Sequence, residues 1–136
     1  MDFSPYLANK IARWLNGNAM PTAPTNLYVG LWDGDPLDTG AEIGALITGA
    51  AARIVINQDT VADDGDDHVL TSDADTDFGV SVSATPRNIT HATIHDAVAA
   101  GNVLFVKELD TPRTVHLNDH VFINSADLSI QIDMFE

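Results

Sequence analysis

From Asn88 to Asp133 the chain repeats one pattern, a short stretch of alternating apolar and polar residues closed by turn formers. Leu128, Ile130 and Ile132 alternate with Ser129, Gln131 and Asp133, and Val103 to Leu109 and Val121 to Ile123 are equally strand-like. A period of two sends successive side chains to opposite faces, one for a core and one for water. Asp110-Thr111-Pro112 and Asn118-Asp119 separate these stretches. Both carry turn chemistry, since proline presets φ and Asn and Asp tolerate left-handed backbone. Strands recurring about every ten residues predict a mainly β fold, an antiparallel β-sandwich of jelly-roll-like type.

The first eighteen residues differ. Phe3, Leu7, Ile11, Trp14 and Leu15 recur at helical spacing and predict one N-terminal amphipathic α-helix. Ser4 suits the N-cap and Pro5 the first helical position, where a missing N–H is harmless. Asn16-Gly17-Asn18 supplies the stop, while Lys10 and Arg13 lie toward the end favoured by the helix dipole. The apolar stripe is expected to pack on the protein's own sheet in preference to a partner subunit, and Trp14, Trp32, Tyr6 and Tyr28 are assigned to core packing rather than to stacking on sugar.

Residues 19–25 hold Pro21 and Pro24, an extended crossing into a strand from Asn26 to Trp32 that is covered on both faces. Asp33-Gly34-Asp35-Pro36 ends that strand. A glycine-rich loop through Gly40, Gly44 and Gly49 follows, with a short strand or turn near Ile43, then a strand at Arg53 to Ile56. Residues 59–77 hold eight acids and read as an exposed excursion, with a short strand at Val69-Leu70 and a better one from Phe78 to Val82. A single domain over residues 1–136 is expected: helix 1–18, crossing 19–25, sandwich 26–136.

Charge narrows the function. Twenty Asp and Glu face six Lys and Arg, for a net charge of −14. A phosphate backbone needs clustered cations, and Lys10, Arg13, Arg53, Arg87, Lys107 and Arg113 are dispersed, so nucleic acid is not an expected partner. An acidic surface with only two lysines aids solubility, and its self-repulsion is screened within about 3 Å at molar salt, which suits a halophilic setting equally well. Without cysteine there is no disulfide and no thiolate chemistry. No apolar run reaches membrane-spanning length and no signal-peptide pattern opens the chain, so a soluble protein is expected.

Sites for chemistry are sparse. With Gly65 at the sixth position of an EF-hand loop, Thr60 and Ala62 fall where acids are required, and with Asp33 first, Leu37 falls fifth. Asp33, Asp35 and Asp38 remain candidates for an irregular structural calcium site, and no other cofactor is expected. His91 and His95 share a strand face but are separated by ~13 Å, too far for one zinc ion. His116 and His120 would point to opposite faces of a two-residue hairpin. Nucleophile elbow, phosphate loop and metalloprotease helix are all absent, which argues against an enzyme.

Taken in order, several short motifs resemble a family of small virion proteins of tailed phages and archaeal viruses described as phage tail fibre proteins. Tyr6-Leu7 through Trp14-Leu15-Asn16-Gly17 corresponds to the opening helix, Pro24 through Trp32 with Asp35-Pro36 to the crossing and first strand, and Gly40-Ala41-Glu42-Ile43 with Ala51-Ala52-Arg53 to the next element. Ile89 through Asp96, Gly101 through Phe105, Thr114 through Asp119 and Ala126 through Ile130 complete the series. The chain departs at Thr48-Gly49-Ala50-Ala51, where the family has a tyrosine and glycines, and in its acidic residues 59–77. The resemblance implies a non-enzymatic structural component of the virion, of tail-fibre or capsid-decoration type, that contacts other virion proteins and forms a symmetric homo-oligomer. Phe3, Leu7, Ile11, Trp14 and Leu15 are the candidate packing or interaction residues. A receptor- or carbohydrate-binding module at a fibre tip is the alternative.

Overall fold

A computed structural model describes residues 2–56, 62–64, 67–72, 74–127 and 129–133. Thr60, Gly65 and Leu128, used in the readings above, and part of the acidic residues 59–77 lie outside the described residues. The order is β1 (Asp2–Phe3), α1 (Pro5–Leu15), β2 (Tyr28–Asp33), β3 (Ala41–Glu42), α2 (Gly44–Thr48), β4 (Arg53–Val55), β5 (Ala62–Asp64), β6 (Asp67–Thr71), β7 (Thr76–Val80), β8 (Arg87–His95), β9 (Val103–Val115), β10 (His120–Ile123) and β11 (Ser129–Asp133). The protein is mainly β, and among the described residues every strand pairing is antiparallel.

The main sheet runs β1-β9-β8-β2-β3, with β4 also on β2; β10 pairs with β7, and β11-β6-β5 forms a third small sheet. One apolar core joins them. Val29, Leu31, Ala92, Ile94, Leu104 and Phe105 from the main sheet meet Ile43 and Ile47 from the α2 segment, Phe78 from β7 and Ile130 from β11. Val29, Ile47 and Ile94 are wholly buried, as the alternating pattern requires of residues facing the second layer.

Three elements depart from the sequence reading. The loop expected through Gly44, with a short strand or turn near Ile43, holds a short helix that Ile43 caps, and its Gly44 packs so closely on Ala52 that a Cβ would sit 1.9 Å from the carbonyl oxygen. Asp110-Thr111-Pro112 does not end a strand. His91 pairs with Glu108 and Ile89 with Arg113, so the turn signal is absorbed as a bulge within the long β9. Pro112 is tolerated because this part of β9 has no described partner on its outer side. Nor do His116 and His120 flank a hairpin. The turn at Asn118, with φ 70°, carries the chain from the main sheet to β10, which pairs with β7.

Candidate functional site

Helix α1 is fastened at its start and free at its end. Ser4 is buried; its Oγ accepts from the Leu7 N–H at 3.1 Å as N-cap and donates to the Val103 carbonyl, while its own N–H donates to the Leu104 carbonyl at 2.8 Å. Tyr6 and Leu7 pack against the core. Beyond Ile11, which is half-buried, the apolar stripe runs past the sheet edge. Trp14 is 56 % and Leu15 75 % exposed, and Phe3, tilted against Phe105 at 5.4 Å between ring centroids, is 46 % exposed. The expectation that this stripe and Trp14 pack on the protein's own sheet holds only for the first half of the helix. An eleven-residue helix that starts beside β9 outruns the sheet, and nothing described covers the overhang.

Asp33, Asp35 and Asp38 are brought to one turn between β2 and β3 and all three are exposed. The turn is self-contained. Asp35 Oδ1 accepts from the Leu37 N–H at 2.9 Å, the Asp35 carbonyl accepts from Asp38 and Gly40, and the Gly34 N–H donates to Thr90 Oγ1 at 2.7 Å. Among the described residues no group of three His, Asp or Glu is arranged to hold a metal ion. Asp35 is occupied as a turn cap, and Leu37 in the same turn is half exposed.

Motif reading missed a polar cluster on the outer face of the main sheet. Trp32 Nε1 donates to Thr93 Oγ1 at 2.8 Å, and Thr93 Oγ1 lies 2.6 Å from His95 Nε2. With Thr93 donating, the imidazole carries its proton on Nδ1, which has no hydrogen-bond partner. Burial, then the nearby Arg53 charge, lowers the His95 pKa to about 4, against the opposing pull of Glu42 and Asp96. Gly30 makes the cluster possible, since a Cβ there would lie 2.8 Å from Thr93 Oγ1 and 3.1 Å from His95 Nε2. Arg53 closes the rim. It forms a two-pronged ion pair with Glu42 at 2.8 and 3.2 Å and donates to the Ala97 and Ala100 carbonyls at 2.9 and 2.8 Å. Asp96 holds the same loop through the backbone and side chain of Asn102; these bonds outweigh its desolvation and keep its carboxyl below the ordinary range.

A hydroxyl beside an imidazole resembles a nucleophile and its base, yet Thr93 and His95 are closed to solvent and Trp32 stacks on the imidazole. A substrate carbonyl has no route to Thr93 Oγ1. The cluster is suited to fixing the register of β2, β8 and the 96–102 loop. The signal that could have found it is Tyr28, Gly30 and Trp32 facing His91, Thr93 and His95, a register that only pairing reveals.

The second layer carries another unforeseen surface. Gly79, with φ 81°, shifts the phase of β7, so Thr76, Phe78, Ser81 and Ser83 point inward while Val80 and Val82 are more than half exposed. Val80 lies opposite His120, whose ring is 5.0 Å from that of Phe122, and Leu117 is also exposed. His120 Nε2 is 2.8 Å from Asp77 Oδ1. The Gly79 N–H first, and His120 second, hold the Asp77 carboxyl below its ordinary value.

Together these features are two exposed apolar surfaces, an acidic turn and a sealed polar core. A comparison with curated proteins gives no match. One family model, described as podophage GP4 fiber I protein gp80, matches residues 2–131. With all but the chain's last few residues and its first included, the chain belongs to that family of podophage fibre proteins.

Proposed function

We propose that this protein is a non-enzymatic structural component of a tailed virus particle, of tail-fibre or capsid-surface type, repeated with symmetry and held by contacts with neighbouring virion proteins. The observation that carries this reading is the fibre-family match along nearly the whole chain. Its location is the virion. The exposed Trp14 and Leu15, and the outward Val80, Val82 and Phe122, are the kind of apolar surface that a virion part covers on assembly. Sealing of Thr93 and His95 from solvent favours a structural role over a catalytic one.

Imaging of particles labelled with a binder to this protein tests the reading. Label at fibres or on the shell supports it and separates the two positions, whereas purified infectious particles without label refute it. A second reading, a receptor- or carbohydrate-binding module at a fibre tip, is favoured by the exposed Trp14 ring, because a solvent-facing indole stacks on sugar. Loss of host-cell binding in Trp14→Ala with normal particle assembly would support it.

A further inference from the structure

The overhanging half of α1 and the turn between β2 and β3 are chemically opposite. Helix α1 carries Lys10 and Arg13 and no acid, while the rest of the chain holds all twenty Asp and Glu and four of the six Lys and Arg. Its exposed end is therefore an apolar knob, Trp14 and Leu15, with Arg13 exposed beside it and Lys10 one turn earlier. The turn carries exposed Leu37 among Asp33, Asp35 and Asp38. Both are held in shape, the helix by its Ser4 cap and the turn by its Asp35 and Thr90 hydrogen bonds.

Position decides how they can meet. The helix lies at the β1/β9 edge of the main sheet and the turn joins β2 to β3 at the opposite edge. Within one chain the two are separated by the width of β9, β8 and β2. We propose that the free end of α1 docks on the Asp33–Asp38 turn of a second copy of this chain, with Trp14 and Leu15 against Leu37 and with Lys10 and Arg13 against the carboxylates. This rests on the reading of the protein as a repeated virion part and names the partner of its helix surface.

The contact is heterologous. Each copy offers a helix at one edge and a turn at the other, so repetition closes a ring or extends a filament rather than stopping at a two-fold dimer. A net charge of −14 does not forbid it. Screening at physiological salt confines each charge to about 8 Å, so local complementarity outweighs repulsion between distant acidic surfaces.

Sedimentation of the whole chain across the micromolar range at physiological salt tests the proposal. Wild type should sediment as a multiple of 14.5 kDa. Lys10→Glu with Arg13→Glu, and separately Asp33→Lys with Asp38→Lys, which spare the Asp35 cap, should each weaken self-association roughly tenfold or more, and combining all four should restore it. Circular dichroism on each variant checks the fold, because Arg13, Asp33 and Asp38 are exposed whereas Lys10 is half-buried with its Nζ 5.4 Å from the centre of the Tyr6 ring. Lys107→Glu with Arg113→Glu makes the same charge change elsewhere and should leave association unaltered. A monomeric wild type, or loss of association in that control, or no rescue in the combined variant, would overturn the proposal. Since none of these outcomes bears on whether labelled particles contain the protein, failure here is separable from failure of the virion assignment.

Discussion

Acidification should unlock the sheet through His95. This imidazole is buried and neutral, with a pKa of about 4 in the folded protein against 6.5 for the ordinary group. A group whose folded pKa is depressed in this way is protonated more readily in the unfolded chain. Its contribution is therefore fully present above pH 6.5 and falls away as pH drops toward 4. At about 1.4 kcal/mol per pH unit of separation, roughly 2 kcal/mol is lost between pH 7 and pH 5, equivalent to about 8 °C in Tm for a chain of this size. The rest of the molecule pulls the other way at first, because lowering the pH discharges an acidic surface whose repulsion disfavours the compact state. The comparison that isolates His95 is thus a difference: urea unfolding of wild type and His95→Gln at pH 7 and pH 5. Gln preserves a hydrogen-bonding partner for Thr93 but does not titrate. Wild type should lose about 2 kcal/mol more than the variant over this interval. Equal losses, or a larger loss in His95→Gln, would refute the reasoning that burial beside Arg53 keeps this ring uncharged.

Other perturbations probe other parts of the argument. Ser4→Ala removes the α1 cap and the tie to Val103, and should cost about 1–2 kcal/mol in urea unfolding. Arg53→Ala leaves Glu42 without its partner and frees the Ala97 and Ala100 carbonyls; a loss of about 3 kcal/mol and faster amide exchange in residues 96–102 are expected. Gly44→Ala should prevent folding or lower Tm severely, since its Cβ would overlap the Ala52 carbonyl, whereas Gly17→Ala, with open space around it, should show only the milder penalty of its φ of 88°. Raising salt from low to molar concentration should raise Tm by screening the acidic surface, and a flat response would reject salt adaptation.

Local patterns carried much of this structure because they depend on few neighbours. The Ser4 cap, the Gly17 stop and the strand at Tyr28–Asp33 follow from side-chain chemistry and backbone preference within a few residues. So does the overall antiparallel β class, which rests on period-two alternation, whereas β8, buried on both faces from Ala92 to His95, was legible mainly through the family resemblance. The candidate helix residues were legible as a stripe, and the acidic turn as a cluster. Neither pattern states what lies opposite. Trp14 and Leu15 are exposed because the helix is longer than the edge it rests on, a relation between two distant segments. Val80 and Val82 face outward and Ser81 and Ser83 inward because one glycine shifts the strand's phase, and alternation alone does not say which set faces the core. His95 reads as an ordinary strand histidine until pairing sets Thr93 beside Gly30 and brings Arg53 across β2. What the chain determined by itself was therefore the type of its elements, through short-range backbone and periodicity constraints. Which faces became core, rim or open surface was decided only by tertiary pairing, because burial is a property of two surfaces brought together and each segment encodes just one of them.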